Sequence, residues 1–536
     1  MTVTPNGDLY LCKTKLENDY KNQFTWDNIN TQNTYFNGTV QNTFSEYTYM
    51  KKDSSVTVNA NIDDIIDCNY LFYVNNGFTT KRYYCFITNM VYVNENTTRI
   101  TFETDCFQTW YFELQYNKCF VEREHVNNDT AGLHTIPEGL ETGSPIMITN
   151  SQEIYGVKDY YICMAVTELI GSLKTNASFS RIYNKVYSGL YYIIFNSISP
   201  NAVGKIIDYY DSEGKADAIN SLFIVPDDIT ITQWYQISFT GDQTIYEYAF
   251  AGYNNGAYIL GNYSFNKPTA LKNYTPKNKK LLTYPYSYFY VTNNVGSDVE
   301  YRYEDFYNNT IQFNTYGAIS PGFSMKTVPF NYKYDNDTAV IDDNGYNYGV
   351  VGSKLPVCSW DTDVYINWLT QNANNIAVDL VGSTMNIGMG VANLALGNPM
   401  GLGQVTSGAM GIAGKMAEVS KMEITPPQAR GSVNSSDVTF ALGRSGVYLY
   451  RMCIKEEYAK IIDNYFSMFG YKVNDVKIPN ITGRRNWNYV KTIDCNVDGD
   501  IPQTDLNIIK TMFNNGVTLW HNPANIYNYS LDNSII

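Results

Sequence analysis

From Leu380 to Gly414, 35 consecutive residues carry no charged side chain, and this stretch limits what the chain can fold into more than any other. It sits in a window of 71 residues, Leu369 to Thr439, that contains no Phe, Trp or Tyr. An aromatic content of 15% would put about ten there. A flexible linker is excluded, because such linkers are polar and the first half here holds Leu380, Val381, Met385, Ile387, Met389, Val391, Leu394 and Leu396. The second half continues with Met400, Leu402, Val405, Met410 and Ile412. Gly397, Pro399, Gly401 and Gly403 break the run between them. Each half, at roughly 15 residues, would reach about 22 Å as a helix, short of a bilayer's hydrocarbon core.

Small residues recur every fourth position, as Gly388 and Ala392, then Gly403, Ser407 and Gly411. Such spacing lets two helices approach closely, in lipid or inside a protein, and predicts a helical hairpin. Composition leaves two forms of it open: one buried permanently in a core, and one kept out of water until it enters a membrane. In the second form Gly supplies plasticity and Met adapts to irregular surroundings. Several copies would be needed to line an aqueous pore.

The rest of the chain reads differently. It holds all 49 Tyr, in a chain with only 17% charged residues, which suits half-buried pleated surfaces with wet hydroxyls. "RYYCFITNMVYVNENTTRITFETD" (82–105) predicts a hairpin, and "FQTWYFELQ" after it a short buried helix or another strand. A loop at 127–135 opens a strand-and-turn region reaching about residue 330, with Tyr clusters such as "YPYSYFYV". Near the C-terminus Ile454, Tyr458, Ile461, Ile462, Tyr465, Phe466 and Phe469 recur at helical spacing before Gly470. A second helix, capped near Thr504 and Asp505, turns Leu506, Ile509, Met512 and Phe513 inward and stops at Gly516. The expected class is mainly β, of α+β type.

Catalytic chemistry finds little support. The only histidines are His125, His134 and His521, too few for most His-based metal sites or nucleophile pairs. Cys119 and His125 lie close in sequence, where a buried thiol beside a solvent-facing charged strand is the expectation. "NVDGDIPQTDLN" (496–507) fails as a calcium loop, since Ile501 falls where Gly is required and Asn507 where a bidentate Glu is required. The Asp-rich 335–343 reads as a solvated loop. Nine cysteines are scattered singly without CxxC, so free buried thiols are expected rather than disulfides or zinc. No phosphate-binding glycine motif is present. No cofactor, metal or enzymatic activity is expected. A net charge of −14 excludes a general nucleic-acid-binding surface; it fits an ordinary soluble acidic protein, the commoner case, and also a surface that DNA passes without sticking. "MTVTPNGDLYL" lacks a basic start followed by an apolar run, so folding in a cytosol is expected.

"NDYKN" (18–22), "FETDCFQTWYFELQYNKCFVEREHV" (102–126), "PPQARGSVNSSDVTFALGRSGVYLYR" (426–451) and the segment 471–521 ending in "NGVTLWH" together resemble the tail knob, or distal tail tube, proteins of short-tailed phages of Gram-positive bacteria. The resemblance implies a virion protein, assembled in the host cytoplasm, that forms a homohexameric tube at the tail tip. Its implied partners are the tail tube and collar proteins, the host membrane, and viral DNA passing without sequence-specific binding. The apolar segment would plug the tube and then insert into the host membrane as a pore. The expected division is a tube domain from 1–150 and 425–536, the latter with the amphipathic helix at 453–469, and an inserted β-rich knob at 151–350, which is read from its strands and turns and to which the resemblance transfers no role. A connection at 351–376 and a membrane-active loop at 377–424 complete it. The competing readings are a cell-wall carbohydrate hydrolase or receptor-binding β protein of the virion, and a pore-forming toxin.

Overall fold

Alternation along the N-terminal strands sends apolar side chains to both faces of one sheet. Leu9 and Leu11 join a cluster with Val56, Ile65, Leu71, Tyr73 and Phe102. Cys12, Tyr70, Phe72, Tyr84 and Phe86 point the other way, into a cluster with Phe24, Trp26, Phe36, Trp487 and Trp520. A strand period of two produces this division, and it explains why these strands carry so few charges. Fully burying one such side chain contributes about 1.5–3 kcal/mol.

The computed structural model describes residues 6–47, 54–77, 79–148, 152–176, 181–183, 186–187, 190–196, 202–231, 233–250, 258–317, 319, 324–333, 349–355, 357–359 and 445–536. They fall into two compact units. The first comprises Met1–Ser144, Asn273–Thr283 and Ile454–Ile536, the second Pro145–Lys272 and Tyr284–Cys453.

In the first unit the antiparallel sheet has the order Val40–Tyr47, Gly7–Cys12, Tyr70–Asn75, Arg82–Asn94, Thr97–Thr104, Ser55–Val58. The hairpin expected at 82–105 is the Arg82–Asn94 and Thr97–Thr104 pair. A second sheet runs Asn22–Phe24, Val517–Trp520, Trp487–Ile493, Cys119–Glu124, Tyr471–Lys477. Its pair Asn22–Phe24 and Val517–Trp520 is parallel and joins the two ends of the sequence. "FQTWYFELQ" resolves as the helix Cys106–Trp110, buried at all five positions, followed by the short strand Gln115–Tyr116.

Two C-terminal helices pack in the same unit. Gln503–Asn515 buries Leu506, Ile509, Met512 and Phe513 and ends at Gly516, whose φ of 93° favours glycine. No side chain caps its start: Pro502 holds the cap position and Thr504 lies inside the helix. The expectation of a capped N-terminus is corrected accordingly. The other helix, Glu456–Phe469, buries Ala459, Ile462, Asp463 and Phe466. Ile461, placed inward by its spacing, is 67% exposed, because the buried face is centred on Ala459, Ile462, Asp463 and Phe466 and position 461 falls on its far side.

The second unit contains a six-stranded antiparallel sheet in the order Tyr235–Ile237, Tyr246–Phe250, Tyr191–Phe195, Tyr160–Val166, Ile219–Pro226, Val357–Ser359. Ile162, Met164 and Val166 face the helix Ala202–Ser212. Cys163 and Ala165 face the opposite cluster, with Leu260 and Met325 from a four-stranded sheet. A strand-and-turn reading missed that helix, whose "AVGKIIDYYDS" buries Ile206, Ile207 and Tyr210 on one side. A further sheet pairs Gly446–Cys453 with Ser287–Thr292 and with both Ile146–Met147 and Gln152–Gly156. The molecule is mainly β.

Candidate functional site

Of the segments singled out in the sequence, 18–22, 102–126 and 471–521 fall in the first unit, whereas 426–444 lies outside the described residues and 445–451 belongs to the second unit. "NGVTLWH" supplies the fully buried strand Val517–Trp520. The indole N–H of Trp520 donates to Asn22 Oδ1 at 3.0 Å, and its ring lies 5.2 Å from that of Trp487.

"QTW" supplies three fasteners. Gln108 accepts from the Trp26 indole at 2.7 Å and donates to Gln23 Oε1 at 2.9 Å and to the Phe24 carbonyl at 3.0 Å. Gln32 donates to the Gln108 carbonyl at 2.9 Å. The Thr109 hydroxyl accepts from the Tyr84 amide, and the Trp110 indole donates to Asp505. At the start of this helix Asp105 accepts from the Gln108 amide at 3.1 Å and the Tyr70 hydroxyl at 3.0 Å. Burial outweighs those bonds and pushes the Asp105 carboxyl up to about 7.

"REHV" corrects an expectation. The strand Cys119–Glu124 turns most of its charge inward: Arg123 and Glu124 are buried, as is His125 just after it, and only Glu122, paired with Lys491, is half-buried. Arg123 and Lys280 both pair with Glu138, whose side chain is fully buried. Lys477 pairs with Glu124. Partners that lie far away in sequence make the interior habitable for these groups, which a local reading could not find. His125 accepts from the Tyr489 amide at Nδ1, so its proton sits on Nε2 and is donated to the Ser467 carbonyl. Burial, with Arg484 nearby, lowers its pKa to about 3 and keeps the ring neutral.

Cys119 and His125 stand six residues apart on an extended segment, about 20 Å, too far for a thiolate–imidazole pair. The eight cysteines whose side chains are described, Cys119 among them, are free and buried. Burial pushes Cys12 and Cys495 up to about 12, which suits inert thiols. In the segment 496–507 Asp498 accepts from the Gly499 amide and Asp505 turns inward to Trp110. Among the described residues no three His, Cys, Asp or Glu side chains are placed to hold a metal ion.

Asp463 is a structural anchor that sequence reasoning missed. It is buried on its helix and accepts from the Tyr274 hydroxyl at 2.6 Å, the Lys277 amide at 2.8 Å and the Asn278 amide at 3.0 Å. It thereby fixes the segment Asn273–Thr283 onto the first unit. An aspartate inside an amphipathic stripe was the one available signal.

The apolar residues between Leu380 and Ile412, with Gly397, Pro399, Gly401 and Gly403, lie outside the described residues, as does 335–343. Among the described residues no helix is long and apolar enough to cross a membrane.

The family model for the C-terminal domain of Bacillus phage phi29 tail knob protein gp9 matches residues 253–534. The chain belongs to this tail knob protein family. A second model, the caudoviral major tail protein N-terminus, matches residues 9–115. Tail knob protein gp9 of Bacillus phage B103 is 26% identical over 97% of this chain and 96% of its own. That of phi29 is 26% identical, and that of Bacillus phage PZA 25%, each over 98% of both chains. The solved tail knob protein gp12 of bacteriophage C1 shares the fold, with a TM-score of 0.64 at 15% identity over 99% of this chain and 100% of that one. The protein is thus a structural component of a phage tail.

Proposed function

We propose that the protein assembles as a homohexameric ring at the tail tip, where it forms the conduit for DNA ejection, and that residues 380–414 close this conduit and later enter the host membrane as a pore. The carrying observation is the uncharged segment itself, 35 residues without a charge in a tail knob family chain of net charge −14. So much apolar surface left open on a monomer would drive aggregation, which favours storing it until use. In a ring, six copies could supply the polar lining that one short hairpin lacks. The acidic balance suits a wall that repels phosphates.

In this reading the tube comprises 1–150 and 425–536, the inserted knob 151–350, and the membrane-active loop 377–424 joined through 351–376. The ring meets the tail tube and collar proteins, is built in the host cytoplasm, and performs no catalysis. Electron microscopy of the purified chain is expected to show six-fold rings. Dye-loaded liposomes are expected to leak on addition of the protein once the segment is released. A variant lacking 380–414 that still forms rings and leaks equally well would remove the pore from the proposal.

A further inference from the structure

In the second unit the strands Tyr160–Val166 and Ile219–Pro226 pair with Tyr161 opposite Val225 and Tyr160 opposite Pro226. Carried one residue beyond the strands, this register sets Asp227 opposite Asp159, and the Asp227 amide donates to the Asp159 carbonyl at 3.2 Å. A period of two therefore places Tyr161, Asp159 and Asp227 on one face, with Tyr161 and Asp227 as diagonal neighbours about 7–8 Å apart. Trp234 packs on the same apolar cluster as Tyr161 and meets it nearly at right angles, with ring centroids 5.5 Å apart and planes at 73°. Two rings set this way leave a corner bounded by a face of each. Asp228 is the third carboxylate here, held in place by the Tyr155 hydroxyl at 2.6 Å.

These groups keep surface that a ligand can reach: Tyr161, Trp234 and Asp227 are half-buried, and Asp159 and Asp228 are exposed. Their charge is not neutralised from within the chain. Among the described residues no Lys, Arg or His nitrogen comes within 4.0 Å of Asp159, Asp227 or Asp228. Burial, then Asp228 and Asp159, raises the Asp227 carboxyl above its ordinary value, as a negative field without a counter-ion must. A neutral sugar can also stack on aromatic rings, but the unbalanced carboxylates favour a cation. A cation with an apolar shell suits both features, because its methyl groups cover the ring faces and its charge needs no hydrogen-bond acceptor.

We propose that Tyr161 and Trp234, with Asp227 and Asp228, form a binding site for a quaternary ammonium ion of the choline class. Isothermal titration of the full chain with choline chloride is expected to show saturable binding of one equivalent per chain. Neohexyl alcohol, its uncharged carbon analogue, is expected not to bind, and ethanolamine, whose primary ammonium stays hydrated, to bind roughly tenfold more weakly. Trp234→Ala, with melting checked, should weaken choline binding roughly tenfold. Asp227→Asn leaves the bond between Tyr155 and Asp228 in place and should weaken it roughly threefold; if Trp234→Ala melts early, this variant decides. Absence of saturable choline binding, equal binding of neohexyl alcohol or ethanolamine, or an unchanged affinity in the deciding variants would overturn the site. Binding of N-acetylglucosamine in place of choline would overturn it too, in favour of a sugar platform. Ring formation and the apolar segment play no part in this test.

Discussion

The Trp110 indole N–H donates to Asp505 Oδ2 at 2.8 Å, joining two buried side chains 395 positions apart. Lys81 sits over the same indole ring, 3.6 Å from its centroid. One side chain thus ties together the N-terminal sheet, the helix Cys106–Trp110 and the helix Gln503–Asn515.

Trp110→Phe is expected to lower stability by about 2 kcal/mol, since it strips a buried carboxylate of its donor. Asp505→Asn keeps an acceptor for the indole and should cost about 1 kcal/mol. Guanidinium midpoints of the two variants test this order, and a larger loss in Asp505→Asn would contradict it.

Gln108 both donates and accepts inside the core, and this dictates which substitutions fail. Gln108→Glu keeps the shape but places oxygen where Nε2 donates to Gln23 and to the Phe24 carbonyl. It must bury a charge against two acceptors or take up a proton to avoid doing so. Gln108→Glu is expected to cost roughly 3 kcal/mol or more at neutral pH and to recover part of that at pH 5, as thermal melting would register.

Glu138 holds two buried cations at once. Glu138→Ala leaves Arg123 and Lys280 without their shared partner and is expected to cost about 3–5 kcal/mol. Because Lys280 belongs to Asn273–Thr283, the same variant should expose that segment. Limited trypsin digestion, with cleavage after Lys277 and Lys279 mapped by mass, is expected to show accelerated cutting there before global unfolding.

How much of this was legible depended on whether a residue's environment is local. The 82–105 hairpin and the inward face of Gln503–Asn515 follow from periods of two and 3.6 alone, and both match the structure. Asp463, Arg123 and Glu124 obey no such period. Their burial is decided by Tyr274, Asn278, Glu138 and Lys477, which reach them only through the fold. Ile461 failed for the complementary reason, since the buried face is turned toward Ala459 and Asp463 and leaves position 461 on the outer side. Gln108 lies in one of the segments that carry the family resemblance, yet no property of the triplet "QTW" announces a hydrogen-bond knot of five residues.

Two buried groups give the pH dependence its sign. Folded His125 stays neutral down to about pH 3, whereas an unfolded imidazole protonates below about 6.5. Through that window the unfolded chain binds more protons, so this group makes stability fall as pH falls. Folded Asp105 keeps its proton up to about 7, against an ordinary value of 3.8. Between those values the folded chain binds more protons, and this group makes stability fall as pH rises. From about pH 4 to 6.5 the two slopes oppose each other. Asp105→Asn removes the second and preserves an acceptor for the Gln108 amide, so, relative to the parent, its melting temperature should drop more steeply on acidification. His125→Gln can still accept from Tyr489 and donate to Ser467, and its melting temperature should fall relative to the parent as pH rises through the same window. Slopes of up to about 1.4 kcal/mol per pH unit are expected for each. Differences from the parent at pH 4.5 and 6.5 isolate these contributions from titrating groups common to all three proteins, and slopes of the same sign in both variants would refute the assignment.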